Sequence, residues 1–319
     1  MKAAIVTGPN QTPVYGDFKE PVAQAGQELI TVTASALSPV AKALAAGSHY
    51  SSSAMFPLVV GIDGVGYTQS GRRLYFGMPQ APFGGMAEKV LVPVENCVPL
   101  PDEVEDVIAA AIANPGMSSV AALKARATFK AGETVLVNGA TGTAGKLAVQ
   151  MAKYMGAKKV IATGRDAAAL QQVKHLGADR TINLLLEQKD LEKALGEQFS
   201  GDGVDVVLDY LFWKSAETLL ATIARTSKGF KPIRYVTVGG VTGQEITLSS
   251  SVLRAVPIAI MGSGIGSVPL KSLNEAVSDV MQAVVPGKLQ IETTVLPLAD
   301  VEKTWNEHTG KSRVVFVVN

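Results

Sequence analysis

Residues 134–156 read TVLVNGATGTAGKLAVQMAKYMG. A Val- and Leu-rich run ends at Asn138, the loop Gly139-Ala140-Thr141-Gly142-Thr143-Ala144-Gly145 follows, and KLAVQMAKYMG then carries apolar residues at helical spacing. Strand, glycine turn and helix in this order form the unit that cradles a dinucleotide. The spacing has a physical reason. Gly139 or Ala140 makes the tight turn, Gly142 lets the backbone approach a pyrophosphate, and Gly145 lets the helix close on the strand. The helix start contributes unbonded N–H groups and the positive end of its dipole, both suited to phosphate.

Outward from this stretch, Glu133 to about Met261 alternates strand and helix: KKVIATG, AAALQQVKHLG, RTINL, LEKALGEQF, GVDVVLDYL, SAETLLATIA, RYVTVGG. The strand runs are short and β-branched, as strands covered on both faces require. An α/β class follows, a Rossmann-type doubly wound parallel sheet. Upstream, KAAIVTG, ELITVTASAL, RRLYFGM and AEKVLVP are β segments broken by Pro and Gly, with one helical stretch at PVAKALAAG. EDVIAAAIANPGMSSVAALKARA reads as helical, with Pro115-Gly116 expected as a turn and a hinge inside it. The tail holds an amphipathic helix, LKSLNEAVSDVMQAVV, an extended TTVLPL, and a closing strand, SRVVFVVN, expected to return to the first lobe. The expected domains are 113–265 for the nucleotide and 1–112 with 266–319 for a mostly β lobe.

A chain of 319 residues suits two lobes, since single cores stop growing near ~250 residues. With 29 basic and 28 acidic side chains it has no global field to draw it to nucleic acid or to an anionic membrane. A small-molecule partner is expected. No stretch reads as a targeting or spanning segment, and the lone cysteine, Cys97, excludes an internal disulfide framework, so a reducing, cytoplasmic setting is expected.

The strand KKVIATG ends where a carboxylate would hold the adenosine ribose of NADH. Here stand Thr163, Gly164 and Arg165. Gly164 is read as leaving room for a 2′-phosphate, and Arg165 can form two charge-assisted bonds to it, so NADPH is the expected cofactor. Asp166 has two readings, a ribose contact or the N-cap of AAALQQVKHLG, and the cap is favoured.

These residues, with PLVVGIDGVG (58–67), FGGMAEKVLVP (83–93), LPDEVEDVIAAAI and LGADRTINL, resemble the medium-chain dehydrogenase/reductase superfamily over nearly the whole chain, and most closely its zinc-independent quinone oxidoreductase branch. The resemblance implies a GroES-like catalytic lobe from both chain ends, a Rossmann lobe between them, and a homodimer. Where the zinc-dependent branch has its first cysteine ligand, this chain has Ser38-Pro39-Val40-Ala41; where that branch has Gly-His-Glu, it has Gly61-Ile62-Asp63. Isoleucine cannot ligate zinc, and without a Lewis acid an alcohol oxygen is not activated. The resemblance then implies hydride delivery to an electron-poor acceptor, a quinone or a C=C bond conjugated to a carbonyl. It places Ser118 under the cofactor, Gly239 and Gly240 beside the nicotinamide, and Ser38 and Asp63 against the substrate. Tyr50, in Gly47-Ser48-His49-Tyr50, is the candidate proton donor by analogy with the Gly-x-Tyr segment of related enoyl reductases, with one residue more in the spacing. The other reading of Tyr50 is an aromatic wall. A non-catalytic NADPH-binding protein, crystallin-like or RNA-associating, is the alternative from a different class, and the neutral charge argues against RNA.

Overall fold

The structure, a computed structural model, describes residues 1–48, 55–201, 203–307 and 312–318. By internal contacts the chain forms two units: Met1–Asn114 with Val277–Val285 and Ile291–Asn319, and Pro115–Ala276 with Pro286–Gln290.

The first unit opens with β1 (Lys2–Val6), β2 (Val14–Asp17), β3 (Gln27–Ala36), α1 (Pro39–Ala45), β4 (Leu58–Val59), β5 (Asp63–Thr68), β6 (Arg73–Gly77), β7 (Lys89–Pro93) and β8 (Cys97–Pro99). In β3 the period-two pattern sends Ile30, Val32 and Ala34 inward, each at most 2% exposed, while Thr31 and Thr33 face outward. β3 pairs antiparallel with β5 and β7. Its register with β5 shifts between Val32 and Ala34, an irregularity that bends the strand.

Helix α2 (Asp106–Ala121) continues past its internal Pro115, so the turn expected at Pro115-Gly116 does not form. Proline removes one backbone donor. The hydroxyls of Ser118 and Ser119 donate to the carbonyls of Pro115 and Gly116, at 2.8 and 2.7 Å, which gives those acceptors partners inside the helix. The segment Asp106–Arg126 is long and apolar enough to cross a membrane, which the sequence reading overlooked, but most of it is buried inside the structure.

The second unit alternates β9 (Thr134–Asn138), α3 (Thr143–Tyr154), β10 (Lys159–Gly164), α4 (Ala167–His175), β11 (Arg180–Asn183), α5 (Gln188–Phe199), β12 (Val206–Asp209), α6 (Trp213–Thr226), β13 (Ile233–Thr237), α7 (Ser250–Ala255) and β14 (Ile258–Gly262). Among the described residues the six strands form one parallel sheet in the order β11-β10-β9-β12-β13-β14. Alternate side chains of each strand serve opposite faces. Val135, Val137, Val160 and Ala162 pack with Ala148, Val149 and Ala152 of α3 and Val173 of α4. Leu136, Ile161 and Val207 pack with Leu191 and Leu195 of α5, Leu219, Leu220 and Ile223 of α6, and Val252 of α7. Each fully buried Leu, Ile or Val contributes ~1.5–3 kcal/mol over leaving it exposed. The strand order reverses between β9 and β12, and at such a switch point loops leave the carboxyl ends of neighbouring strands in opposite directions and open a crevice.

After α8 (Leu270–Ala283) the chain supplies β15 (Thr293–Pro297), α9 (Val301–Thr304) and β16 (Arg313–Val317). β16 sits between β15 and β3 in the sheet β15-β16-β3-β5-β6-β8, so the expected return of the closing strand occurs. The chain therefore adopts the expected α/β class, with a Rossmann-type parallel sheet and a separate mostly β unit.

Candidate functional site

The glycine loop leaves β9 at the reversal of strand order. Gly139 has φ +88, a conformation that side chains strain against, and a β-carbon there would stand 2.8 Å from Leu211 Cγ. Ala140 is fully buried and its N–H donates to the Thr163 carbonyl at 2.8 Å. At Gly145 a β-carbon would lie 2.3 Å from the Gly139 carbonyl oxygen and 2.6 Å from Ala140 Cα, so only glycine lets α3 approach the loop this closely. Gly142 differs. It is exposed, its φ is −79, and a β-carbon would meet nothing nearer than the Gly139 oxygen at 3.9 Å.

Gly142 is also the N-cap of α3, and no side chain caps that end. The first-turn N–H groups of Thr143, Ala144 and Gly145 have no carbonyl earlier in the helix to bond, and the dipole makes this end positive. Thr141, Thr143 and Ala144 are half-buried around it. The loop and helix start are thus suited to an anionic diphosphate and hold no acidic side chain against it.

A polar network fixes the loop from below. The Thr163 hydroxyl donates to Asn138 Oδ1 at 2.6 Å and accepts from the Gly139 N–H at 3.2 Å. Asn138 Nδ2 donates to Asp209 Oδ1 at 2.8 Å, and the Tyr235 hydroxyl donates to Asp209 Oδ2 at 2.6 Å. Asp209 Oδ1 also accepts from the N–H groups of Leu211 and Phe212. Asn138, Thr163 and Asp209 are fully buried at the carboxyl ends of three neighbouring strands, and Tyr235, also fully buried, reaches Asp209 from the middle of the fourth. Burial and the adjacent Asp209 carboxylate raise the Tyr235 phenol well above its ordinary value, so it remains a donor. Sequence reading missed this network, because its members are up to 97 positions apart in sequence and only strand order brings them together.

At the end of β10 the residues diverge from expectation. Gly164 opens no free space: a β-carbon would stand 2.4 Å from Thr141 Cγ2, so the glycine lets the loop side chain pack against the strand. Arg165 follows, exposed. Asp166 is the N-cap of α4, its Oδ1 accepting from the Ala169 N–H at 3.0 Å. The favoured capping role is the one observed.

Ser118, besides its bond to Pro115, lies 3.5 Å from the Tyr210 hydroxyl. Tyr210 follows β12 and is buried, which pushes its phenol well up, and it too escaped the sequence reading. Gly239 and Gly240 follow β13. The Gly239 N–H donates to the Asp209 carbonyl, and a β-carbon on Gly239 would lie 3.2 Å from the Tyr210 carbonyl oxygen. The turn beyond them bonds back through Val241 N–H to Tyr210 O and Thr242 N–H to Leu211 O, beside Phe212 and Trp213, whose φ values of 60 and 53 are strained for side chains of their bulk.

In the first unit, Ser38 is buried and is the N-cap of α1, its Oγ accepting from the Ala41 N–H at 2.9 Å. Asp63 is 1% exposed, accepts from the Tyr75 hydroxyl at 3.0 Å, and faces the buried Arg313. Burial outweighs the guanidinium and pushes the Asp63 carboxyl up to about 6. Asp63 Oδ1 and Arg313 Nε and Nη2 have no hydrogen-bond partner. Tyr50 lies outside the described residues. Among the described residues, no three His, Cys, Asp or Glu side chains converge to hold a metal ion.

Residues 144–284 match a family model described as zinc-binding dehydrogenase. A probable NADPH-dependent quinone reductase of Emericella nidulans is 29% identical over 358 residues, covering 99% of this chain and all of the relative. A probable oxidoreductase of Mycobacterium abscessus superposes with a TM-score of 0.78 at 27% identity, over 99% of both chains. The quinone oxidoreductase of Thermus thermophilus, whose crystal structures include a complex with NADPH, superposes with a TM-score of 0.80 at 27% identity, over 99% of this chain and all of that one. Similarity that runs from end to end, through a loop in which Gly145 admits no side chain and a sheet in the order β11-β10-β9-β12-β13-β14, supports the quinone oxidoreductase branch of the medium-chain dehydrogenase/reductase superfamily for this chain.

Proposed function

We propose that the protein is an NADPH-dependent oxidoreductase that reduces a quinone or a carbonyl-conjugated C=C bond without zinc. The observation that carries the reading is the uncapped start of α3, presented by a loop in which Gly145 permits contact no other residue would. NADPH, when bound, supplies the hydride. The backbone of Thr141, Gly142, Thr143 and Ala144 would hold its diphosphate, and Arg165 its 2′-phosphate, where Asp166 is already occupied as a cap. Ser118, Gly239 and Gly240 would flank the nicotinamide. The buried Asn138–Asp209 network holds the loop in place before binding, so less ordering is needed when the cofactor arrives.

Zinc independence rests on chemistry at Ser38 and Ile62. One is a hydroxyl used as a helix cap and the other a hydrocarbon, and neither is a zinc donor. A quinone takes its protons from water once reduced, whereas an enone leaves an enolate carbon that a positioned acid protonates faster; Tyr50 is assigned that role. We assign the enzyme to the cytoplasm and to a homodimer. The dimer reading is supported by β14, which ends the parallel sheet with one edge unpaired among the described residues.

Stopped-flow oxidation of NADPH and NADH with a benzoquinone and with cyclohex-2-enone, before and after dialysis against a strong chelator, tests the reading. Turnover with NADPH that survives the chelator is expected. A preference for NADH, or activity that disappears with the metal, overturns it. A solution mass of 33.3 kDa, one chain, overturns the dimer.

A further inference from the structure

The first unit contains a cavity of about 160 Å³ between α1, the segment from β4 to Ile62, and the turn 78–83. Leu44 stands on the α1 face that also presents Ala41 and Ala45; Leu58, Val60, Ile62, Pro82 and Phe83 line other walls, and the cavity is open to solvent. Among the described residues no charged or hydrogen-bonding side chain lines it. Interiors pack as densely as organic crystals and rarely leave voids larger than a water molecule. The lining side chains offer water none of the two to four hydrogen bonds it needs, and only backbone atoms can supply them.

The cavity runs along the two segments that carry Ser38 and Asp63. Ser38 caps the helix whose next turn supplies Ala41 and Leu44, and Ile62 directly precedes Asp63. We infer that the cavity receives one six-membered carbon ring of the acceptor, or an alkyl group of the same bulk, and so selects monocyclic quinones and enones over fused-ring ones. This rests on the proposed reductase activity. The argument is one of size: an apolar cavity of ~150 Å³ takes a single benzene, and a second fused ring would have to extend past the open side of this one, out of apolar contact. Orientation follows from the same walls. The ring's hydrocarbon edge enters the apolar pocket, and its carbonyl oxygens stay outside, where water or polar groups can solvate them.

Leu44 controls the volume, and it is only half-buried, so its replacement leaves the core of the unit intact. Steady-state kinetics with saturating NADPH are measured on 2,6-dimethyl-1,4-benzoquinone and on 1,4-naphthoquinone. Leu44→Ala is expected to raise the naphthoquinone-to-benzoquinone ratio of kcat/KM by about tenfold, and Leu44→Trp to lower benzoquinone kcat/KM by about tenfold or more through KM, with the KM for NADPH unchanged. Ratios between variants cancel the different intrinsic reactivities of the two quinones. In parallel, 4-fluorotoluene is titrated into wild type and Leu44→Trp and followed by ¹⁹F NMR. Saturable binding that Leu44→Trp abolishes is expected. Active enzyme whose quinone ratio does not move in Leu44→Ala overturns the inference and leaves the reductase reading standing. Wild type that turns over no quinone or enone overturns the reductase reading, and with it the claim on the acceptor. Absence of 4-fluorotoluene binding in wild type overturns the ring site itself, and that readout does not depend on turnover or on the stability of the tryptophan variant.

Discussion

Gly142→Ala and Gly145→Ala add the same methyl group three residues apart, and the structure assigns them different consequences for stability. At Gly145 the new carbon would stand 2.3 Å from the Gly139 oxygen, about 1 Å inside ordinary contact, with main chain rather than a movable side chain in the way. Alanine inside a helix ordinarily gains up to ~1 kcal/mol over glycine, but overpacking of this kind costs ~1–3 kcal/mol. The net loss, up to ~2 kcal/mol, should lower the melting temperature by a few degrees, at ~2–4 °C per kcal/mol for a unit of this size. At Gly142 the methyl has room and a permissive φ of −79. A poorer N-cap and a stiffer unfolded chain then offset each other to within about 1 kcal/mol. The same methyl occupies the space in which a diphosphate would approach the backbone. Losing one charge-assisted N–H bond costs ~1.5–3 kcal/mol, roughly ten- to a hundredfold in affinity. Differential scanning fluorimetry without NADPH and titration of NADPH fluorescence separate the two effects. Gly142→Ala should keep its melting temperature and lose NADPH, and Gly145→Ala should lose both. The reasoning fails if Gly142→Ala binds NADPH like wild type, or if Gly145→Ala melts higher.

Arg165→Ala should weaken NADPH by roughly ten- to a hundredfold and leave NADH unchanged, as equilibrium titration with both nucleotides would show; equal losses for the two refute the 2′-phosphate contact. Tyr50→Phe should lower kcat on cyclohex-2-enone by about 10² to 10⁴ and spare the quinone, and small equal losses make Tyr50 a wall. The Asp63 carboxyl, pushed up from 3.8 to about 6, holds a proton in the folded chain that the unfolded chain releases first. Its contribution to stability is therefore complete below pH ~4 and is lost as the pH rises to ~6, by about 3 kcal/mol. Urea unfolding across that window should slope downward in wild type more than in Asp63→Asn, and identical slopes refute the assignment.

The nucleotide-binding half was legible because its logic is local. A strand covered on both faces must be apolar throughout, and Gly139, Gly142 and Gly145 lie within seven residues of each other, so pattern and motif agreed before any tertiary contact was known. Asp166 as a cap was legible for the same reason, its partner lying three residues away. The Asp63–Arg313 pair was not, since 250 positions separate the two residues and a buried charge pair leaves no periodic trace. Nor was Gly164 read correctly: its role depends on Thr141, which reaches it only because β9 and β10 are neighbours. Pro115 misled because proline alone predicts a break, whereas α2 is buried among Ala109–Ala113 on one side and Val120–Leu123 on the other, and that burial outweighs one missing hydrogen bond.

β16 is the last strand among the described residues and yet an interior one, lying between β15 and β3. During synthesis β3 emerges with its edge toward β16 open, and Val315, Phe316 and Val317 reach their partners Ala36, Ser35 and Ala34 only after some 280 further residues. The second unit, by contrast, is nearly complete as one continuous stretch, Pro115–Ala276. The order of synthesis of the two units is thus the reverse of their order of completion: β3 is made before the second unit and waits longer for its sheet. A nascent chain that has emerged as far as residue 290 but still lacks β16 would carry a finished nucleotide fold tethered to a sheet with an exposed edge, a species prone to pair with the wrong strand. Chaperone demand should accordingly concentrate on β3 and its neighbours, long after they have left the exit tunnel.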